Sequence, residues 1–180
     1  MRFLAPFVLA ALAALPATAR PLTEAEEKGL TKAINGYERA TTHADAERIV
    51  ATIPPRIVNI FAGASGIEAD KVKETLVGQT RDLMKGTSIS DFAVAPGPYD
   101  ASDATLADGT ALVWVIVPAD FTTQENGKSM RNHQPLFAVL EDGEWYFSRV
   151  DGPQQQQMVA LAYPFVAKVK LPAATATPAP

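Results

Sequence analysis

Two dipeptides, Asn126-Gly127 and Asp142-Gly143, constrain this chain more than any other feature. Each lies between apolar runs, and each tolerates the positive φ angles of a two-residue hairpin turn. A tight turn fixes the pairing of the strands it joins, so facing side chains can be counted outward from it. The first turn sets Glu125 opposite Lys128, then Asp120 opposite His133, Ala119 opposite Gln134, Val117 opposite Leu136 and Val113 opposite Leu140. The second sets Glu141 opposite Glu144, Leu140 opposite Trp145, Ala138 opposite Phe147, Leu136 opposite Arg149 and Gln134 opposite Asp151. Long strands are expected over 110–124, 128–140 and 144–150, and shorter ones over 89–95 and 101–106.

One face of the three long strands then carries Val113, Val115, Val117, Ala119 and Phe121, with Leu136, Ala138 and Leu140, and with Trp145 and Phe147. It ends in a polar group: Gln134, Arg149 and Asp151. The opposite face carries Trp114, Ile116, Phe137, Val139, Tyr146 and Val150, and at its far end Asp120 and His133. Both faces are apolar, which a sheet with one wet side does not need. One should meet helices, and the other a second subunit or a further part of the chain. Pro118 and Pro135 fall opposite each other at a non-hydrogen-bonded position. Pro135 owes its missing N–H to the next strand near Val150, so that strand should separate or bulge there.

Helices precede the strands. Thr23 and Glu26 form a capping-box pattern, and Leu30, Ala33, Ile34 and Tyr37 recur at helical spacing. A second, short helix carries Ala46, Ile49, Val50 and Ile53 and stops at Pro54-Pro55. "PPRIVNIFAGASG" fits a strand or a helix; the helix is preferred, with Pro55 in its first turn and Gly63 as its C-terminal cap. Another helix spans about 68–85, burying Val72, Leu76 and Leu83. A last one opens at Pro153 and buries Met158, Leu161 and Ala162. This order gives an α+β class: N-terminal helices packed on a curved antiparallel sheet, closed by a short C-terminal helix.

The chain starts MRFLAPFVLAALAALPATA, with one basic residue, an apolar run and a small-x-small ending. This is the pattern of a signal peptide over 1–19, cleaved near Ala19, so the protein is expected to be periplasmic or secreted. No cysteine exists, so a packed single domain over 20–170 must supply stability without disulfides. The tail, 171–180, is rich in Pro, Ala and Thr and is expected to be disordered. Cleavage removes Arg2, one of 16 basic residues, and keeps all 20 acidic ones, taking the net charge from −4 to −5. With no run of Lys or Arg, nucleic acid is excluded as a partner. The two histidines, His43 and His133, lie in different elements, so no metal is expected; no cofactor motif is present.

"DGT" (Asp108 to Thr110) leads into a long strand and "DGEWYFSRV" (Asp142 to Val150) lies near the end. With helices before long antiparallel strands, this resembles the nuclear transport factor 2-like superfamily, over roughly residues 22–165. The resemblance implies a cone-like α+β fold, shared with ketosteroid isomerase, scytalone dehydratase and polyketide cyclases. Members use the cone as a pocket for small hydrophobic ligands, as an enzyme site, or as a docking and dimerisation surface. Its enzymes use a buried Asp or His as base, steadied by a Tyr or a protonated Asp. No motif carries those roles onto this chain, so no catalytic residue is assigned.

The candidate ligand site is the polar rim Arg149, Asp151 and Gln134 over the apolar Phe147, Trp145 and Tyr37. There a guanidinium could hold a carboxylate at the end of an apolar cavity, or simply pair with Asp151. Asp120 and His133 form a second polar pair, the arrangement that fixes an imidazole's tautomer for base catalysis. The reading is a non-catalytic exported domain that binds a small apolar or amphipathic ligand or a protein partner, as a homodimer without a membrane span. The alternatives are an isomerase, dehydratase or cyclase using Asp120-His133 or Asp151-Arg149, and an assembly module docking through its outer sheet face.

Overall fold

The computed structural model describes residues 19–179; the expected signal peptide lies outside the described residues, apart from Ala19. A two-residue strand β1 (Arg20–Pro21) leads into helices α1 (Glu24–Thr42), α2 (Ala46–Ala51), α3 (Pro55–Ser65) and α4 (Ala69–Gly86). Strands β2 (Ser88–Val94), β3 (Asp100–Thr105), β4 (Ala111–Glu125), β5 (Lys128–Glu141) and β6 (Glu144–Arg149) follow. Helix α5 (Pro153–Ala162), a 3₁₀ turn (Pro164–Lys168) and strand β7 (Thr175–Pro178) complete the chain.

The α+β architecture is a curved, seven-stranded antiparallel sheet with the N-terminal helices packed on it and a short C-terminal helix. Its spine is the β4–β5 hairpin, closed by Asn126 at φ 50° and Gly127 at φ 75°. Each edge of the spine carries two shorter strands. On β4, β3 pairs with residues 111–114 and β2 with 119–124. On β5, β6 pairs with 136–141 and β7 with 130–133. Both breaks fall at the facing Pro118 and Pro135. At a non-hydrogen-bonded position a residue turns its N–H outward, so each proline denies a donor to the edge neighbour and none to its partner. The β5–β6 pairing stops at Leu136 and Arg149, the separation expected beside Pro135.

Two cores lie on the two faces. On one, Leu30 and Ile34 of α1 pack against Val115, Val117, Leu136, Ala138, Trp145 and Phe147. On the other, Phe137, Val139 and Val150 are covered by Ile57 of α3, by Val159 and Ala162 of α5, and by Tyr163 and Val166. Of the two fates expected for the second apolar face, the chain's own C-terminal part is the one realised. Phe137 is fully buried beneath this cover, while Trp114 and Tyr146 remain partly exposed at its margin.

Four further expectations are corrected. Leu83 and Leu161 are 65% and 63% exposed rather than buried; α5 buries Ala162 as expected, with Val159 in place of Leu161. Helix α3 ends at Gly66, in the left-handed region at φ 66°, and Gly63 lies within it. The tail is ordered in part, because β5 offers it a free edge. The helical α3 also departs from the early strand usual in nuclear transport factor 2-like proteins.

Candidate functional site

The rim residues converge, although the expected Gln134–Asp151 strand pair is not formed: the ladder ends at Leu136 and Arg149, and Asp151 meets Gln134 through its side chain. Arg149 grips Asp151 with two donors, Nε to Oδ1 at 3.2 Å and Nη2 to Oδ2 at 2.6 Å. Gln134 Nε2 donates to the same Oδ2 at 3.2 Å. Asp151 is nearly buried, while the Arg149 side chain is half-exposed. Burial works against the Arg149 charge, and the Asp151 carboxylate more than offsets it, so the guanidinium's pKa is raised. Both forks of the pair are spent on each other, the strong bidentate form of such a contact. An incoming carboxylate would meet a guanidinium whose Nε and Nη2 are already engaged by Asp151, leaving the outer Nη1 edge as its approach.

Beneath the rim the apolar candidates are core. Trp145 and Phe147 are 6% and 3% exposed. The Trp145 indole N–H donates to the Glu26 carbonyl at 3.1 Å, which ties β6 to the first turn of α1. Tyr37 stands between Phe147 and Phe92, with ring centroids 5.3 and 5.6 Å away, and Phe121 stacks on Phe92 at 5.7 Å. These separations are those of packed aromatic pairs. Burial pushes the Tyr37 phenol above its ordinary range, against the pull of nearby Arg149. Four rings thus fill the space between α1 and the sheet where the sequence suggested a cavity.

On the other face, His133 Nδ1 lies 2.9 Å from Asp120 Oδ1, as the register requires. Both side chains are about half-exposed, at 43% and 54%. The pair has the geometry to orient an imidazole. It lies open to water, where such a polar contact contributes little.

Two surface clefts, of about 480 and 410 Å³, lie elsewhere. The first runs along the exposed side of α1 from Glu24 to Arg39. The second lies where α1, α4 and β2 meet, around Thr41, Met84 and Gln124. None of the residues nominated from sequence lines either.

The sequence reading missed one buried polar cluster. Glu141, 7% exposed, accepts the Tyr163 hydroxyl at 2.8 Å and Arg56 Nε at 3.0 Å. Arg56 also reaches Asp108 at 2.9 Å. Burial and the Glu141 carboxylate hold the Tyr163 phenol far above its usual range. These groups join α3, the β3–β4 turn, the end of β5 and the end of α5. A carboxylate beside a tight turn reads as a solvated turn flank, so its only local signal was misleading.

Compared with family models, with curated proteins and with solved structures, the chain finds no match.

Proposed function

We propose that the chain is an exported, non-catalytic binding domain whose target is another polypeptide. Export rests on the N-terminal run and its small-x-small ending. The residue after the expected cleavage point, Arg20, is already part of the fold. It pairs with Ala101 and bonds Asp103 at 2.7 Å and Glu26 at 2.8 Å.

The observation that carries the choice of target is the packing of Tyr37, Phe92, Phe121 and Phe147. A small apolar molecule could enter between α1 and the sheet only by displacing these core rings, and with them contacts of about 0.5–1.5 kcal/mol for each aromatic pair. A polypeptide needs only the surface. The rim supports the same reading, since Arg149 already spends its Nε and Nη2 donors on Asp151. The nuclear transport factor 2-like pattern is compatible, because that architecture serves docking as well as catalysis. The 2.9 Å contact of Asp120 with His133 favours a second reading, an acid–base enzyme of the isomerase, dehydratase or cyclase kind.

Native mass spectrometry of the chain purified after export separates the readings. The expected result is the mass of the polypeptide alone, beginning at Arg20. A stoichiometric adduct the size of a lipid or steroid would overturn the polypeptide target and restore the small-ligand and enzyme readings.

A further inference from the structure

Strand β7 is held by its backbone. Thr175, Ala176, Thr177 and Pro178 are all exposed, so the strand buries none of its own side chains. What joins it to β5 is pairing with Met130–His133, extended by the Ala179 N–H donating to the Ser129 carbonyl at 2.9 Å. Main-chain hydrogen bonds that trade against water contribute only about 1 kcal/mol each. Residues 169–174, which lead to β7, contain neither helix nor strand. Counted along the β4–β5 ladder, Ser129, Arg131 and His133 sit at non-hydrogen-bonded positions and turn their N–H and C=O groups toward β7. Lifting β7 would leave that row bare, and a bare edge is a template for strand addition.

We propose that the edge of β5 over Ser129–His133 is a docking site for an extended segment of a partner protein, and that the chain's own tail is a replaceable strap over it. This rests on the polypeptide-binding reading above. The strap shows what fits. An incoming strand runs antiparallel to β5, with small or β-branched residues beside Asn132 and His133, where Ala176 and Thr175 now lie. Beside Arg131, where Thr177 lies, it carries a carboxylate, because among the described residues Arg131 has no acidic partner.

The test uses the full chain after export and a variant with Thr175→Pro and Thr177→Pro. In this register those two residues supply the N–H donors within β7, leaving only the Ala179 N–H beyond it, and both are exposed, so the body of the fold is untouched. The probe is a labelled peptide with the sequence of residues 173–180, and a second with glutamate at the Thr177 position, followed by fluorescence anisotropy. A strap tethered by a short linker competes at an effective concentration on the order of millimolar. The variant should therefore bind both peptides at least about tenfold more tightly than the unaltered chain, and the glutamate peptide better than the plain one. Adding Arg131→Pro, which removes an edge donor and leaves the β4 ladder intact, should abolish binding. Equal binding by both chains, or none to the variant, overturns the proposal. So does a dimer of the unaltered chain, seen by light scattering, that disappears in the variant, since it assigns the edge to a second copy. An adduct in the native mass spectrum together with peptide binding would refute the exclusion of small ligands and leave the edge site standing.

Discussion

Single side chains decide how α1 meets the sheet. Gly29 sits in the middle of that helix, where an alanine ordinarily gains up to about 1 kcal/mol. Here an added Cβ would lie 3.2 Å from Trp145 Cδ1 and 3.3 Å from Nε1. Trp145 has little freedom to yield, because it is buried and its N–H is tied to the Glu26 carbonyl. Overpacking costs of about 1–3 kcal/mol should therefore win, and Gly29→Ala should destabilise by about 1 kcal/mol in urea unfolding. Glu26 itself is held down to about 2, from 4.5, chiefly by the Arg20 guanidinium, with the Thr23 N–H adding to it. A carboxyl whose folded pKa lies below its unfolded one contributes in full above about 4.5 and loses that contribution as pH falls toward about 2. Glu26→Gln should accordingly lower stability by about 1–2 kcal/mol at neutral pH. The two proteins should converge in acid. Parallel stability curves from pH 6 to pH 2 would show that the Arg20 contact carries no charge-dependent stabilisation.

At the scale of elements, the hairpins were the legible part, for a physical reason. A two-residue turn leaves no slack, so an alternating pattern on either side fixes every pair. Val113 with Leu140, Asp120 with His133 and Leu136 with Arg149 all stand in the register counted from the turns. Helix faces were less legible. Spacing shows which side of a helix is apolar and says nothing of whether anything arrives to cover it, hence exposed Leu83 and Leu161. Strand β7 could not be read at all, because a strand held by its backbone leaves no side-chain pattern. The weight placed on the turns can be measured. Gly143 sits at φ 82°, where a Cβ costs roughly 1–2 kcal/mol. Gly143→Ala should lower the unfolding free energy by that amount, moving the urea midpoint down without changing the slope. A larger change accompanied by a lower slope would mean that β6 had come away from β5.

The whole molecule is organised by a sheet covered on both faces, which asks the chain to send segments from before and after the strands to opposite sides. The first face is covered by α1, which precedes the long strands in the chain; the second is covered by α3 from before them and by α5 and the 3₁₀ turn from after them. The candidate rim was readable because Gln134 and Arg149 sit on neighbouring strands counted from the turns, and Asp151 follows two residues after Arg149, just beyond the end of the ladder. The Glu141 cluster was not, because Arg56, Asp108, Glu141 and Tyr163 come from four separate elements and no local spacing joins them. That cluster is where closure of the second face can be tested. Removing one partner of a buried ionic group typically costs about 3–5 kcal/mol. Arg56 is 29% exposed and keeps Asp108, so Glu141→Gln should cost less, about 2–3 kcal/mol. Tyr163→Phe leaves a buried carboxylate oxygen without its donor and should cost about 1–3 kcal/mol. The double variant should cost at least about 1 kcal/mol less than the two singles added together, because residues in direct contact are not independent. Simple additivity in urea unfolding would mean that the hydroxyl and the carboxylate do not support each other, and that apolar packing alone holds α5 to the sheet.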